Sequence, residues 1–412
     1  MINLFIVVYN FSGAKTYVDE LSLFFACQKD VAVFQVFLNC VGYKEFFAEN
    51  NDRAMHIYIP EKITGKYDKI YYRRAAQLVF SHFHDLRNVV LHANMPEQFY
   101  FAEEMIKLFQ CPLVFTCHFL MGFYSCYDTI SGYNGENKVH GNVLEEFMIG
   151  LADQIICVTE FGRRALVNVH KVDPAKTRVI FNGKSFSALA EGSKMIKSKY
   201  GFSADDRLIL FAGQLDPMKG IYKLIEAFLL IKDTFPTAKL VVAGQGEYSK
   251  YLSLARQCIG RVCFTGHLDK ETLNDFYRFS EVGVIPSQYE QCSYVAIEMM
   301  QNKLPLIISN IPGLNELITH KKTGLVCKTK PHCSVQNVLE VDETDLALQI
   351  EYLLMNPAEA AEYAEQAYKQ VLRAHSLEDM GEATLNIYRK LLNEKDGTLN
   401  INQVKREVLM KK

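Results

Sequence analysis

Residues 281–298 read EVGVIPSQYEQCSYVAIE, an apolar run followed by a polar turn and an amphipathic segment. We predict a strand over 281–285, a loop that contains Glu290, and a helix that begins near Ser293 and carries Glu298. A short apolar strand that leads into a helix is the repeating unit of a parallel α/β sheet. The two glutamates are therefore expected at the sheet edge where strands end and where such folds bind ligands.

The same alternation of short apolar runs and longer amphipathic segments continues along most of the chain. The runs are almost continuously apolar, which is typical of parallel strands covered by helices on both faces. The predicted helices include Tyr17–Cys27, Gly220–Phe235 and Leu273–Phe279. The predicted strands are 2–9, 31–38, 88–92, 112–117, 154–158, 207–212, 238–243, 261–264, 281–285 and 305–308. The pattern predicts right-handed βαβ units in doubly wound sheets.

A largely polar stretch near residues 185–205 separates the strands into two series. A chain of 412 residues is also too long for one ordinary core. We expect an N-terminal α/β domain over 1–185, a C-terminal α/β domain over 200–375, and a tail over 376–412 that is helical and then basic. The ligand-binding cleft is expected between the carboxyl edges of the two sheets. A solvated end is the favoured interpretation of the tail, and weak contact with an anionic membrane surface is the alternative.

Composition excludes several classes of protein. The formal net charge is -2, from 45 basic and 47 acidic residues, so we expect no nucleic-acid partner. Eleven cysteines without a C-x-x-C pair, some inside apolar runs as at Cys157, favour buried free thiols in a reducing compartment. Residues 1–11 lack a basic region and a cleavage site, and no apolar stretch reaches about 18 residues. A soluble cytoplasmic protein is expected.

The segment GQLDPMKG, residues 213–220, follows one predicted strand and precedes a helix. Gly213 allows close approach of the backbone to a ligand. Because the next helix is predicted to start near Lys219, its free N–H groups and this lysine would attract an anion. The segment suits a diphosphate, and a plain strand–helix turn with a surface lysine is the alternative.

The two glutamates are predicted to serve different parts of one pocket. Glu290 precedes the predicted helix and Glu298 lies on it, and a separation of eight positions is not simply a helical repeat. The amides of 292–295 between them form a helix start that can hold an anion. A carboxylate there can accept hydrogen bonds from sugar hydroxyls or stabilise positive charge at an anomeric carbon. Capping and solvation of the helix start is the alternative interpretation.

Taken in order, these motifs resemble the C-terminal half of glycosyltransferase family 4, the retaining GT-B enzymes also described as glycosyl transferases group 1. The resemblance is close over roughly 205–330 and looser elsewhere. In the N-terminal half it rests on Ser12-Gly13-Ala14, His92, His118, Glu146–Asp153 and Phe181-Asn182-Gly183. In the C-terminal half it rests on Gly213-x5-Lys219-Gly220, Gly244-Gln245-Gly246, Phe264-Thr265-Gly266, Pro286-Ser287, the two glutamates and Pro312-Gly313-x-x-Glu316.

The resemblance implies two Rossmann-like domains that face a central cleft. It also implies transfer of a sugar from a nucleoside diphosphate sugar to an acceptor hydroxyl, with retention at the anomeric carbon. Glu290 and His118 would be the catalytic residues at the transferred sugar. Lys219 and Gln214 would bind the diphosphate, Glu298 the ribose, and the backbone of 266–268 the base. The complete implied donor-binding set is Gly13, Gly213, Gln214, Lys219, Gly266, His267, Leu268, Ser293, Tyr294, Val295 and Glu298.

Two positions depart from the family pattern. Gln214 stands where the family usually has arginine, which replaces a bidentate cation by a neutral amide. Lys184 and Lys15 are candidates to supply the missing charge. Ser293 stands in place of the usual glycine, which is tolerable if only its N–H is used. The chain contains no Asp-x-Asp, so the resemblance implies no metal and no cofactor other than the nucleotide sugar, which is a co-substrate.

The sequence leaves the acceptor and two other functions open. The acceptor is a glycan, a lipid-linked sugar or a peptide, and the aromatic-rich loop 119–142 is a candidate site for it, with a self-packed surface loop as the alternative. One alternative function is a GT-B nucleotide-sugar epimerase, which needs no acceptor. The other is a non-catalytic nucleotide-sugar-binding partner protein, which Gln214 suggests.

Overall fold

The computed structural model describes residues 1–8, 12–60, 69–120, 136–186, 196–332 and 338–397. The strands are β1 (Ile2–Val8), β2 (Val31–Cys40), β3 (Phe47–Asn51), β4 (Ala54–Pro60), β5 (Val89–Ala93), β6 (Leu113–Cys117), β7 (Gln154–Cys157), β8 (Thr177–Val179), β9 (Arg207–Ala212), β10 (Ala238–Ala243), β11 (Val262–Gly266), β12 (Val282–Ile285), β13 (Leu306–Ser309), β14 (Leu325–Cys327), β15 (Thr329–Pro331) and β16 (Leu339–Val341). The helices are α1 (Ser12–Ala26), α2 (Lys69–Phe83), α3 (Phe99–Phe109), α4 (Glu136–Leu151), α5 (Glu160–Asn168), α6 (Ile196–Lys199), α7 (Ile221–Ile231), α8 (Ser249–Ala255), α9 (Lys270–Phe279), α10 (Tyr294–Gln301), α11 (Glu343–Met355), α12 (Pro357–Ala374) and α13 (Leu377–Gly397).

The chain forms two compact units. As far as these ranges are described, unit 1 contains Met1–Phe123, Gly135–Ser185 and Leu377–Lys412, and unit 2 contains Phe186–Ser376. One boundary between the units falls between Ser185 and Phe186. The C-terminal helix differs from the predicted arrangement, because it was expected in a tail outside both domains and instead belongs to unit 1.

The buried face of α13 explains why this helix joins unit 1. Its residues Met380, Leu385 and Tyr388 are each at most 3% exposed. A Cβ atom on Gly381 would lie only 2.2 Å from the ring of Phe24 on α1, so the two helices are in close contact. The apolar stripe of α13 is therefore part of the core of unit 1.

Unit 1 is built on a sheet of eight strands in the order β3-β4-β2-β1-β5-β6-β7-β8. All pairs are parallel except β3 with β4. Phe5 and Val7 of β1 pack into a core with residues of α2 and α3. On the opposite face Gln35 of β2 donates a hydrogen bond to Ser22 of α1 at 2.7 Å. Helices thus cover both faces, as the continuous apolar runs predict.

Unit 2 is built on six parallel strands in the order β11-β10-β9-β12-β13-β14, with a separate antiparallel hairpin of β15 and β16. All ten strands predicted from the sequence are present. The other described strands were not predicted. β3 is exposed along its length and reads FAENN, and β4 reads AMHIYIP, in which His56 interrupts the apolar run. β8, β14, β15 and β16 have three residues each, too few to give an apolar run.

Two properties expected from composition also have a structural counterpart. All nine cysteines in the described part of the chain are free thiols, and seven of them are buried. Among the described helices, none is both long and apolar enough to span a bilayer.

Candidate active site

Three glycines at the carboxyl ends of neighbouring strands of unit 2 allow the backbone segments that follow these strands to pack in direct contact. Gly213, Gly244 and Gly266 follow or end β9, β10 and β11 with φ of 147°, 152° and 69°. The N–H of Gly213 donates to Ala243 and that of Gly244 donates to Gly266, each at 2.9 Å. A Cβ atom on Gly244 would lie 1.6 Å from the carbonyl oxygen of Gly213. Only glycine fits this contact, which places bare backbone at the sheet edge.

Lys219 lies at the end of a 3₁₀ turn, Pro217–Lys219, which the side chain of Asp216 caps. Gly220 follows in the left-handed region with φ of 71° and is the N-cap of α7, which begins at Ile221, close to the start predicted near Lys219. A Cβ atom on Gly220 would lie 1.9 Å from the carbonyl oxygen of Pro286. The lysine turn is thus pressed against the loop that follows β12.

Glu290 lies in that loop and forms an ion pair with Lys219. The distance from Lys219 Nζ to Glu290 Oε2 is 2.7 Å, and the side chains are 30% and 19% exposed. Glu290 also forms a β-bridge with Gly313, whose φ is 83°. The structure therefore brings together the lysine predicted to bind the diphosphate and the glutamate predicted to contact the sugar. Partial shielding from water makes this pair stronger than one on the open surface.

Helix α10 begins beside Glu290, and its first residues are Tyr294 and Val295. Ser293 caps it, because its hydroxyl oxygen accepts a hydrogen bond from the amide of Ala296 at 3.3 Å. The amino-terminal end of α10 thus lies at the same sheet edge as Lys219. The replacement of the usual glycine by Ser293 was expected to be tolerable if only its N–H is used, and the capping role of its side chain was not predicted.

Glu298 lies on the second turn of α10, where Tyr277 of α9 donates a hydrogen bond to its Oε2 at 2.8 Å. Tyr277 is 1% exposed, and burial together with Glu298 raises its pKa well above the ordinary value, so the phenol remains a donor. Sequence reasoning missed Tyr277, since a tyrosine within an amphipathic helix gives no signal of a polar partner.

The remaining predicted donor residues of unit 2 lie along the same edge. Gln214 follows Gly213 and is exposed, while His267 and Leu268 follow β11 and are exposed and partly exposed. Because β12, β9, β10 and β11 are neighbours in that order, the loops of β12 and β11 are separated by three strand spacings, roughly 14 Å. An elongated ligand is needed to contact both ends.

His118 follows β6 in unit 1 and lies beside a buried group of polar side chains. Its Nε2 is 3.1 Å from Oδ1 of Asn94, and its ring packs edge-to-face against Tyr17 with centroids 4.8 Å apart. Burial lowers the pKa of His118 to about 3. Asn94 was not predicted, although a polar residue directly after the strand 89–93 is the kind of signal that was used for His118.

His92 has a structural position in the same group. It is fully buried, with Nδ1 at 2.5 Å from the hydroxyl of Tyr388 and Nε2 at 2.7 Å from that of Thr116. The hydroxyl of Tyr17 is 3.1 Å from that of Thr116. Burial, with His118 nearby, lowers the pKa of His92 to about 3. The chain of hydrogen bonds connects α1, β5, β6 and α13.

The other predictions for unit 1 have mixed outcomes. Gly13, implied by the resemblance to bind the donor, is the second residue of α1, so Ser12-Gly13-Ala14 is a helix start, and residues 9–11 lie outside the described part. Lys15 pairs with Asp19 at 2.6 Å, and buried Lys184 pairs with Glu20 at 3.5 Å. Most of the aromatic loop predicted to bind the acceptor, 121–135, also lies outside the described residues.

The described part of the chain contains no group of three or more His, Cys, Asp or Glu side chains that could hold a metal ion. The two glutamates of the site have side-chain partners: Lys219 donates to Glu290, and Tyr277 donates to Glu298.

The chain matches known families and structures over both units. Residues 193–370 match the model of glycosyl transferases group 1, and residues 11–184 match that of glycosyltransferase family 4. An uncharacterized glycosyltransferase from Methanocaldococcus jannaschii is 29% identical over 57% of this chain and 60% of its own length. A D-inositol 3-phosphate glycosyltransferase from Mycobacteroides abscessus is 26% identical over 53% of this chain and 50% of its own. The chain thus spans only part of the length of these relatives.

Solved structures share the fold over nearly the full chain. Sucrose-phosphate synthase from Thermosynechococcus elongatus has a TM-score of 0.79 at 20% identity, covering 96% of this chain and 100% of its own. HepE from Anabaena, in complex with UDP-glucose, has a TM-score of 0.72 at 14% identity, covering 95% and 100%. With two parallel sheets of Rossmann type and matches to both family models, the chain belongs to the glycosyltransferases of group 1 and family 4 and has the GT-B fold.

Proposed function

We propose that this protein transfers a sugar from a nucleoside diphosphate sugar to an acceptor hydroxyl, with retention of configuration at the anomeric carbon. The observation that carries the proposal is the meeting of Lys219, Glu290 and the start of α10 at one glycine-lined edge of unit 2. A cation and helix amides suit a diphosphate, and carboxylates suit sugar hydroxyls. The complex of HepE with UDP-glucose lends support from a protein of the same fold.

In this proposal the donor lies along the strand ends of unit 2. Lys219 and the amides of α10 bind the diphosphate and stabilise the negative charge that it gains on departure. Glu290 contacts the transferred sugar, and Glu298, oriented by Tyr277, accepts hydrogen bonds from the ribose hydroxyls. The bond from the anomeric carbon to the phosphate oxygen breaks and a bond to the acceptor oxygen forms on the same face. The departing phosphate oxygen takes the acceptor proton.

The proposed acceptor is a glycan, a lipid-linked sugar or a peptide. The protein would then act in the cytoplasm, with weak peripheral contact at the inner face of the membrane if the acceptor is lipid-linked. Lys219 and the amides would replace a metal ion at the diphosphate, so we expect transfer to continue in the presence of a chelator.

The donor can be identified by a thermal-shift screen over UDP, GDP and ADP and their sugars, since a ligand that binds only the folded state raises the melting temperature. Incubation of the selected donor with an acceptor panel then tests transfer, and NMR of the product gives the anomeric configuration. An epimerised donor in the absence of acceptor would favour the epimerase alternative. Donor binding without any turnover would favour the non-catalytic alternative.

The substitution Glu290→Gln tests the catalytic assignment. We expect transfer to fall by about 100-fold or more while the nucleoside diphosphate still binds, because the lost group acts on the sugar. The matched control is Glu365→Gln, which breaks an exposed ion pair with Lys303 of 2.6 Å in the same unit and should leave transfer unchanged. Wild-type transfer rates in Glu290→Gln would rule out the proposed role.

A further inference from the structure

The orientation of the Asn94 side chain is fixed by the backbone of β1. Its Nδ2 donates a hydrogen bond to the carbonyl oxygen of Val7 at 3.1 Å, and a carbonyl oxygen can only accept. The opposite end of the amide, Oδ1, is therefore the atom that faces His118, at 3.1 Å from Nε2. Since Oδ1 also only accepts, Nε2 of His118 must carry the hydrogen.

A second set of bonds locks the turn that carries Asn94. The backbone amides of Asn94 and Met95 both donate to Oε1 of Gln98, at 2.8 Å and 3.2 Å. Asn94 and Gln98 are 1% and 3% exposed. Rotation of the Asn94 amide would place Oδ1 against the carbonyl oxygen of Val7, two buried acceptors with no hydrogen between them, and the lost hydrogen bond costs about 1–3 kcal/mol.

The surroundings of His118 keep the imidazole neutral. Tyr17 faces it from α1, and burial raises the pKa of this phenol to about 12. His92 lies nearby on β5, and its own pKa is lowered to about 3. Burial lowers the pKa of His118 itself to about 3. A neutral imidazole with hydrogen on Nε2 has its lone pair on Nδ1, which makes that atom an acceptor.

We propose that Asn94 is a positioning residue that holds His118 with hydrogen on Nε2, so that Nδ1 accepts a hydrogen bond from a hydroxyl of the transferred sugar. The choice of ligand rests on the proposed function, whereas the choice of tautomer rests on the hydrogen bonds alone. A neutral acceptor orients the hydroxyl without adding positive charge near an anomeric carbon that becomes positive in the transition state.

The tautomer is measured by NMR of protein labelled with ¹⁵N-histidine, with His118→Gln used only to assign the signal. We expect the Nε2–H form in the wild type between pH 6 and 8, and a mixture of tautomers in Asn94→Ala. The matched control is Asn3→Ala, which removes another buried asparagine of unit 1 that donates to a backbone carbonyl, that of Arg87 at 2.6 Å. An Nδ1–H form or an imidazolium in the wild type would overturn the inference.

Kinetic measurements test whether the transferred sugar is the ligand of His118. We expect Asn94→Ala to lower kcat/KM for the nucleotide sugar by about tenfold, while the Kd for the nucleoside diphosphate without sugar stays at the wild-type value. Unchanged kcat/KM in a variant with mixed tautomers would overturn the role of Asn94. If the wild type shows the Nε2–H form but binds no nucleotide sugar, the proposed function and the sugar as ligand of His118 fail, and the tautomer assignment stands.

Discussion

The carboxyl ends of the strands carry different chemical groups in the two units. In unit 2 glycine backbone lies against glycine backbone, and the side chains at the edge are charged and partly exposed, as in the pair of Lys219 with Glu290. In unit 1 the same edge holds buried neutral side chains in two sets of hydrogen bonds, one between His92 and Thr116 and one from Asn94 to the carbonyl oxygen of Val7. The arrangement of the strand ends therefore depends on steric fit of the backbone in unit 2 and on the protonation state of buried side chains in unit 1.

This difference explains which changes each unit tolerates. In unit 2 the departures from the family pattern, Gln214 and Ser293, lie where a side chain is exposed or serves as a helix cap. An added Cβ at a packed glycine, by contrast, would collide with neighbouring backbone atoms. In unit 1 a polar partner cannot be lost without leaving a buried group unsatisfied. Three experiments test this contrast.

The largest effect is expected from Gly220→Ala. The new Cβ would lie 1.9 Å from the carbonyl oxygen of Pro286, and φ of 71° is already unfavourable for alanine. The atoms that the Cβ would meet belong to the backbone carbonyl of Pro286 and cannot move aside as a side chain could. We therefore expect a loss of about 3 kcal/mol or more in the free energy of unfolding, measured by urea titration.

The control for this substitution is Gly260→Ala. Its φ of 76° is almost the same, but no atom lies within 4 Å of the added Cβ. We expect a loss of only about 1 kcal/mol, from backbone strain alone. Equal losses in the two variants would show that close packing of the lysine turn contributes nothing.

An intermediate effect is expected from the buried histidine of unit 1. The pKa of His92 is lowered to about 3, so below about pH 6.5 the unfolded chain binds a proton that the folded protein excludes. Stability from this group is complete above pH 6.5 and falls as the pH decreases, by up to about 1.4 kcal/mol per pH unit. His118 acts in the same direction, since its pKa is also about 3.

The contribution of His92 can be separated by substitution. Between pH 6.5 and 5, His92→Gln should lose about 2 kcal/mol less of its unfolding free energy than the wild type loses. The measurement is urea unfolding at several pH values. Parallel pH curves for the two proteins would contradict a neutral buried imidazole at this position.

The smallest effect is expected in nucleotide affinity. Glu290 forms an ion pair of 2.7 Å with Lys219, so a diphosphate must compete with this carboxylate for the lysine. Glu290→Gln removes the competing charge, and we expect it to lower the Kd for the nucleoside diphosphate about two- to fivefold in calorimetry, equal to about 0.4–1 kcal/mol. Lys219→Ala should weaken binding, and combining the two substitutions should abolish the gain. Weaker binding by Glu290→Gln alone would show that the carboxylate does not compete.

The sequence by itself determined the strands that carry the site. Buried parallel strands need continuous apolar runs, and that signal is local, so all ten predicted strands are present. It also determined where Glu290 and Glu298 lie, because a strand, a polar turn and a capped helix are each encoded within a few residues. The ordered motifs likewise indicated the family.

Only the tertiary structure decided which side chains meet. Lys219 and Glu290 are 71 positions apart, and they pair because β9 and β12 are neighbours in the sheet. Tyr388 reaches His92 across 296 positions, which places the C-terminal helix in unit 1 rather than in a separate tail. The tautomer inferred for His118 likewise depends on Asn94 and Val7 from two other strand ends. Hydrogen bonds and ion pairs of this kind depend on strand order, which no local pattern in the sequence encodes.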